Sequence, residues 1–347
     1  MKNVDYIVVG CGLAGIAFSE QLRAANRSFM VFDDGSQQSS KVAAGLYNPV
    51  TLKRFTKVWN AKAQLDLAIP KYTQLEALLQ QDLNHKLPVR RKFASVKEQN
   101  EWFVASDQPV LCDFMAPTII KESCEGLKAD FGFGEVLHSG RIDTARLVNS
   151  YHAYLQDEGK LERERFAYDA VGLETDHIQY KNLEAKHIVF TEGFGLCKNP
   201  FFNNLPLRGL KGEMLTIKAP KLKMDFILKS SIFLVPLGND EFWVGATYEH
   251  HDKTHTVSEA GKAELLSKLK TVIDCEFEVV NQVAGIRPTT KDRRPLVGRH
   301  PEHKNMFVLN GLGTRGVMIS PYVAQQLFDF IEFGTALDPE IDIRRCS

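Results

Sequence analysis

Apolar residues recur along this chain in two rhythms, short continuous runs and helical spacing, and the two alternate. Tyr6-Ile7-Val8-Val9 is a continuous run of strand length, so Asp5–Val9 reads as a strand. Gly10, Gly12 and Gly15 then form a loop, and Ile16, Leu22 and their neighbours carry a helical pattern. Ser28–Phe32 reads as a second strand. "DTARLVNSYHAYLQDEGK" (143–160) is amphipathic at helical spacing, with Asp143 placed to cap its start. Near the end, an apolar strand over Met306–Leu309 leads through Gly311, Gly313 and Gly316 into a helix over Tyr322–Phe333. Residues 81–137 and 206–282 are strand-rich, with charged helices such as Glu259–Val272. No internal repeat, low-complexity segment or Gly/Ser linker interrupts the series.

Composition narrows the class. The 347 residues carry 43 Lys+Arg against 43 Asp+Glu, a balance that argues against a dedicated nucleic-acid binder. At 44% hydrophobic and 25% charged the chain is ordinary for a globular protein, and its length allows two domains. No stretch of about 18 apolar residues exists to cross a membrane. Only Lys2 precedes the first apolar run, and Asp5 interrupts it, so that run reads as a strand and not as a secretory signal. Six cysteines without a CxxC pair fit a reduced, cytoplasmic protein.

The opening stretch "VVGCGLAGIAFSEQL" (8–22) has the parts of a dinucleotide fingerprint in order. The first glycine makes the tight turn, the second admits a pyrophosphate, and the third lets helix and strand pack closely. The phosphates would rest on the free N–H groups of the helix start, around Leu13 and Ala14. Asp33, eighteen residues past Gly15 at the end of the second strand, would accept from ribose hydroxyls. An acid there, followed by Asp34, disfavours a 2′-phosphate and hence NADP. The fingerprint alone leaves NAD and FAD open.

Two further stretches, "SSKVAAGLYNPV" (39–50) and residues 282–321 beginning "QVAGIRPTTKDRRPLVG", resemble FAD-dependent amine oxidoreductases of the D-amino acid oxidase family. The glycine oxidase and sarcosine oxidase branch is the most similar. "HIVFTEGFG" (187–195), "LPLRGLKGEML" (205–215) and "IFLVPLGNDEFWVGAT" (232–247) are landmarks in the matching order. The resemblance implies an α/β protein: a Rossmann-type FAD-binding domain (1–80, 138–205 and 283–347) and a smaller α+β substrate domain (81–137 and 206–282) with a largely antiparallel sheet. The active site is expected at their seam.

The resemblance also implies site residues. FAD contacts are expected from Gly10, Gly12, Leu13, Ala14, Gly15, Asp33 and Asp34, from Ser39, Ser40, Ala44, Gly45 and Leu46, and from Gly193. The second glycine junction adds Gly313, Thr314, Arg315, Gly316, Val317 and Met318, a helix start whose free N–H groups suit a reduced flavin's negative charge. Ser39–Leu46 is expected as a loop passing close to a flat ring. Glu192 departs from the family's Ala-x-Gly pattern and is expected to alter contacts near the pyrophosphate. Arg287, in "GIRP", stands where glycine oxidases hold the substrate carboxylate, whose two oxygens match a guanidinium fork. Arg315 is the second candidate, with flavin or backbone carbonyls as its alternative partners. Phe233 occupies the place of a family tyrosine, so Tyr47, Asn48 or Tyr248 is expected to substitute for the missing hydroxyl. No cysteine falls at the sarcosine oxidases' linkage position, so FAD is expected to be non-covalent.

The implied activity is oxidation of a small amine by hydride transfer to flavin N5, with oxygen or another electron acceptor regenerating the cofactor. A neutral amine needs no general base, and no acid–base pair is assigned. "GATYEHHDKTHTVSE" (245–259) and "GLGTRG" also resemble the flavin domain of the bifunctional enzyme that modifies the tRNA wobble uridine, which oxidises a carboxymethylamino group. The basic stretch "HKLPVRRKF" (85–93) and Lys218, Lys221 and Lys223 could meet its phosphates, although such runs are commonly solvated faces. A non-catalytic FAD-binding module is the alternative from another class; flavin bleaching by an amine without oxygen separates them. His250, His251 and His255 fall in a loop without a partner cluster, so no metal site is expected.

Overall fold

The structure is a computed structural model and describes residues 1–346. The first apolar run sits inside the strand Lys2–Val9. Pleating sends Tyr6 and Val8 into one core with Phe18, Leu22 and Leu327. Ile7 and Val9 enter another core with Phe166, Tyr180 and Phe190. Burial on both faces explains why the run is continuously apolar. The strand pairs in parallel with Phe29–Phe32 and with Leu183–Phe190. Leu161–Glu162 and Met306–Asn310 continue the parallel order outward. Val171–Leu173, Ile178–Tyr180 and Leu296–Arg299 join as antiparallel members. Helices Leu13–Ala24, Thr144–Asp157 and Gly316–Phe333 cover one face, and Asp143 caps the second of these through Arg146 N.

A second sheet has eight strands. Its order is Glu278–Thr289, Arg208–Lys218, Glu241–Gly245, Phe233–Gly238, Ile227–Lys229, Val89–Lys92, Phe133–Val136, Met115–Ile120. All neighbours are antiparallel except Ile227–Lys229 against Val89–Lys92. Leu215, Ile217, Leu234, Phe242 and Val244 fill a core under the helix Glu259–Lys270. Register aligns Lys229 with Phe233, Phe233 with Gly245, Gly245 with Met214, and Met214 with Val283. Directly opposed residues share a face, so Lys229, Phe233, Trp243, Met214, Gly285 and Arg287 all lie on the opposite, inner side.

Two elements differ from the sequence reading. Ser39–Leu46 is not all loop: Ser39–Val42 forms one helical turn, too short to leave a periodic signal. The turn is clasped by the second sheet, since the Trp243 indole donates to Val42 O at 3.2 Å. The last helix begins at Gly316, not Tyr322. Pro321 looks like a helix start, yet it lies inside. Its missing N–H leaves Val317 O free, and the Tyr72 hydroxyl donates to that oxygen at 2.9 Å.

Candidate functional site

One cavity runs from the C-terminal edge of the parallel sheet to the inner face of the antiparallel sheet. At its first end Gly10 has φ +97°, and a Cβ there would lie 2.8 Å from Thr191 O. Gly15 sits beneath the loop, where a Cβ would lie 2.0 Å from Gly10 O, so it serves packing and does not face the cavity. The helix that follows Gly12 has no capping side chain at its N-cap and no acid in its first turn, which leaves its positive end to the cavity. Asp33 accepts from Cys11 N at 2.5 Å and from Gly35 N at 2.8 Å, and it lines the cavity. Ser40 Oγ accepts from Leu13 N at 3.2 Å. Glu192 closes this end, accepting from the Tyr168 hydroxyl and from Asn199 Nδ2 at 2.8 Å. Burial, reinforced by Asp34 nearby, pushes its carboxyl up to about 7.

Midway along the cavity, Leu312, Gly313, Thr314, Gly316 and Val317 bring in a second helix start, again without a side-chain cap or an acid in its first turn. At the far end stand Met214, Phe233, Trp243, Tyr248 and Arg287. The Arg287 guanidinium has room because the facing residue is Gly212, where a Cβ would lie 2.2 Å from Nη2. Its one hydrogen bond is a long one, 3.4 Å to Thr247 O, and the Tyr248 ring covers it at 4.9 Å. No carboxylate pairs with it among the described residues, and burial pushes its pKa below the usual arginine value. The carboxylates lining the cavity, Asp33, Asp34, Glu164 and Glu192, all belong to the first end.

The cavity thus gathers Gly10, Gly12, Leu13, Ala14, Asp33, Asp34, Ser39, Ser40, Ala44, Gly45, Leu46, Gly193, Gly313, Thr314, Gly316, Val317, Tyr248 and Arg287. Besides Gly15, four expected residues point elsewhere. Tyr47 is buried, donating its hydroxyl to Asn84 Oδ1 at 2.9 Å. Asn48 is buried too, its side-chain oxygen accepting from Val50 N at 2.8 Å, and Met318 lies against Asn48 N. Arg315 donates to Asn48 O at 2.9 Å and to Thr51 Oγ1 at 3.1 Å. Burial lowers its pKa to about 10, and its guanidinium braces the loop behind the wall. The sequence reading missed Trp243, Met214 and His152. His152 Nε2 lies 3.0 Å from Cys11 O. A polar residue on the inward face of the helix Thr144–Asp157 was the available signal.

The family model for FAD-dependent oxidoreductases known as DAO matches residues 5–329. The chain belongs to this family. A glycine oxidase of Bacillus licheniformis is 24% identical over 95% of this chain and 93% of its own length. One from Geobacillus kaustophilus is 31% identical, but over 37% of this chain and 35% of its own length. The tRNA 5-methylaminomethyl-2-thiouridine biosynthesis bifunctional protein MnmC of Caulobacter sp. K31 is 23% identical over 92% of this chain, which spans 53% of that protein. The crystal structure of the Geobacillus kaustophilus glycine oxidase superposes with a TM-score of 0.79 at 20% identity, covering 97% of both chains. As a DAO-family protein the chain is an FAD-dependent oxidoreductase, and its cavity fits that cofactor. Two helix starts without an acid in their first turn face one space, with the strand-end acid Asp33 beside the first of them. No helix among the described residues is long and apolar enough to cross a membrane.

Proposed function

We propose that the protein oxidises the C–N bond of a small amine that carries a carboxylate, an amino acid or N-substituted glycine. The observation that carries this is Arg287, a largely enclosed guanidinium on the cavity wall with no anion of its own. Its planar fork suits two carboxylate oxygens, and pairing would relieve the cost of an enclosed unpaired charge. FAD, when bound, supplies the acceptor for a hydride from the carbon beside the nitrogen. Arg287 orients that carbon, Tyr248 covers the guanidinium from the rim, and Met214, Phe233 and Trp243 exclude water. No carboxylate lines this end to act as a base, which suits a substrate that arrives as the neutral amine.

Removing one partner of a desolvated charge pair costs about 2–5 kcal/mol. Arg287→Ala should therefore lower kcat/KM for sarcosine-type amines roughly 30-fold to several thousand-fold, with FAD content and Tm nearly unchanged. Arg287→Lys should recover part of the loss, since a point charge lacks the fork. A matched amine without the carboxylate decides the matter, because its turnover should be indifferent to either change. Equal losses on both amines, or loss of FAD, would refute the role.

A second reading is favoured by the coverage of the Caulobacter protein, 92% of this chain: removal of a carboxymethyl group from a modified tRNA wobble uridine. The reacting unit is again an N-substituted glycine. Affinity for bulk tRNA that falls steeply with salt is expected on this reading alone.

A further inference from the structure

Lys211 lies on the strand Arg208–Lys218 and is only 1% exposed. The strand turns Gly212 toward the Arg287 guanidinium, so alternation sends Lys211 and Glu213 to the opposite face. There the Lys211 ammonium donates to Asp252 Oδ2 at 2.5 Å and to Thr256 O, with Glu213 Oε1 3.9 Å away. Asp252 and Thr256 belong to residues 246–258, the connection from the strand Glu241–Gly245 to the helix Glu259–Lys270. Glu213 clasps the end of that connection, accepting from Ser258 N at 2.8 Å and from Ser258 Oγ at 2.7 Å. Lys253 adds a further tie, to Gly209 O at 2.6 Å. The start of the connection lies on the cavity. Glu249 N donates to Lys211 O at 2.9 Å and Lys211 N to Glu249 O at 3.0 Å, while Thr247 N donates to Glu213 O at 3.1 Å. Between these rungs stands Tyr248, its ring over the Arg287 guanidinium, beside the Thr247 carbonyl that accepts from Arg287 Nη1.

Tyr248 is 63% exposed, so packing does little to hold its ring, and the backbone on either side must place it. A buried ammonium is costly unless it is paired and hydrogen-bonded, and the acceptors here come from this one connection and from Lys211's own strand. We propose that Lys211 is a positioning residue for the carboxylate site. By gripping Asp252 and Thr256 from behind the sheet, it holds Tyr248 and the Thr247 carbonyl against Arg287 and so sets that guanidinium's hold on the substrate. Lys211 does not line the cavity and acts only through the connection it grips. This rests on the amine-oxidation reading, with Arg287 holding the carboxylate.

The test is anaerobic reduction of the bound flavin by sarcosine, which gives an apparent Kd and a limiting rate, together with amide exchange of the FAD-loaded protein. Lys211→Met keeps the stem and removes the ammonium. Asp252→Asn weakens the same clasp at a partly exposed position, and it carries the test if Lys211→Met does not fold. Loss of a cation–π contact predicts a rise in apparent Kd of roughly 3- to 30-fold, with the limiting rate nearly unchanged. The amides of Thr247 and Glu249 should exchange faster in both variants. In Tyr248→Ala, adding Asp252→Asn should cost less than it does alone, because the ring it positions is gone. Unchanged exchange, an apparent Kd that holds while exchange rises, or losses that multiply independently of Tyr248 would overturn the proposal. A fall confined to the limiting rate, or loss of FAD, would do the same. Failure of every carboxylate-bearing amine to reduce the flavin would instead count against the amine-oxidation reading. Exchange at Thr247 and Glu249 then still decides whether Lys211 holds the connection.

Discussion

Glu192 shows what a single side chain can impose on a nucleotide cavity. Among the described residues its carboxyl meets only neutral donors, Tyr168 and Asn199, and no cation pairs with it. Its pKa rises from an ordinary 4.5 to about 7 because burial penalises the charge. Between those values the unfolded chain has released the proton and the folded chain has kept it. The stabilisation is therefore complete below about 4.5 and is lost as pH rises through 7, by about 3 kcal/mol at most. Melting of the FAD-free protein from pH 5 to 8 should show this decline, and Glu192→Gln should flatten it. Parallel pH profiles for the two proteins would remove Glu192 as the cause. At this scale legibility follows locality. Gly10, Gly15 and Asp33 answer to backbone geometry within one βαβ unit, and the sequence carries that geometry. Tyr47 and Asn48 sit in an irregular stretch whose side chains are aimed by distant partners, Asn84 and Met318, which no local pattern announces.

At the scale of elements, the site depends on strand register more than on any one strand. Gly212 and Gly285 are register partners across the two longest strands of the antiparallel sheet, and each leaves space that something else occupies. Opposite Gly212 lies the Arg287 guanidinium, and opposite Gly285 lies Val42 of the short helical turn. Gly212→Ala would place a methyl 2.2 Å from Arg287 Nη2, so the fork must move. Misplacement by about 1 Å costs on the order of 100-fold, so kcat/KM for carboxylate-bearing amines should fall by that order while FAD stays bound. An unaltered KM and kcat would mean that the guanidinium has room to spare. The strands around this row were legible as strand-rich segments, but their pairing was not. Alternation tells which residues share a face of one strand, and only the folded sheet tells which strand comes next. That is why Trp243 and Met214 escaped notice while Arg287, marked by family resemblance, did not.

For the whole molecule, FAD acts as more than a reactant, because its cavity is walled by both sheets, three long helices and the short helical turn Ser39–Val42. A ligand bound only by the folded state stabilises it by about 2.7 kcal/mol at a hundred times Kd. The FAD-loaded protein should therefore melt several degrees above the FAD-free one, and Asp33 should set much of that gap. Asp33 has two duties that a melt can separate. It accepts from Cys11 N and Gly35 N, bracing the glycine loop, and it offers its remaining lone pairs to the cavity. Asp33→Ala removes both, leaving two N–H groups without their acceptor, so it should lower Tm even without FAD. Asp33→Asn keeps one of the two acceptor oxygens and sets an NH2 group against the other N–H, so its FAD-free Tm should also fall, though by less than with Asp33→Ala. Charge-assisted bonds to a ribose are worth about 1.5–3 kcal/mol, so both variants should hold FAD at least about tenfold more weakly, read by quenching of flavin fluorescence. The gap between loaded and FAD-free melting should then shrink by about 1.4 kcal/mol for each tenfold. If Asp33→Asn binds FAD as tightly as the original, the carboxylate braces the loop and nothing more.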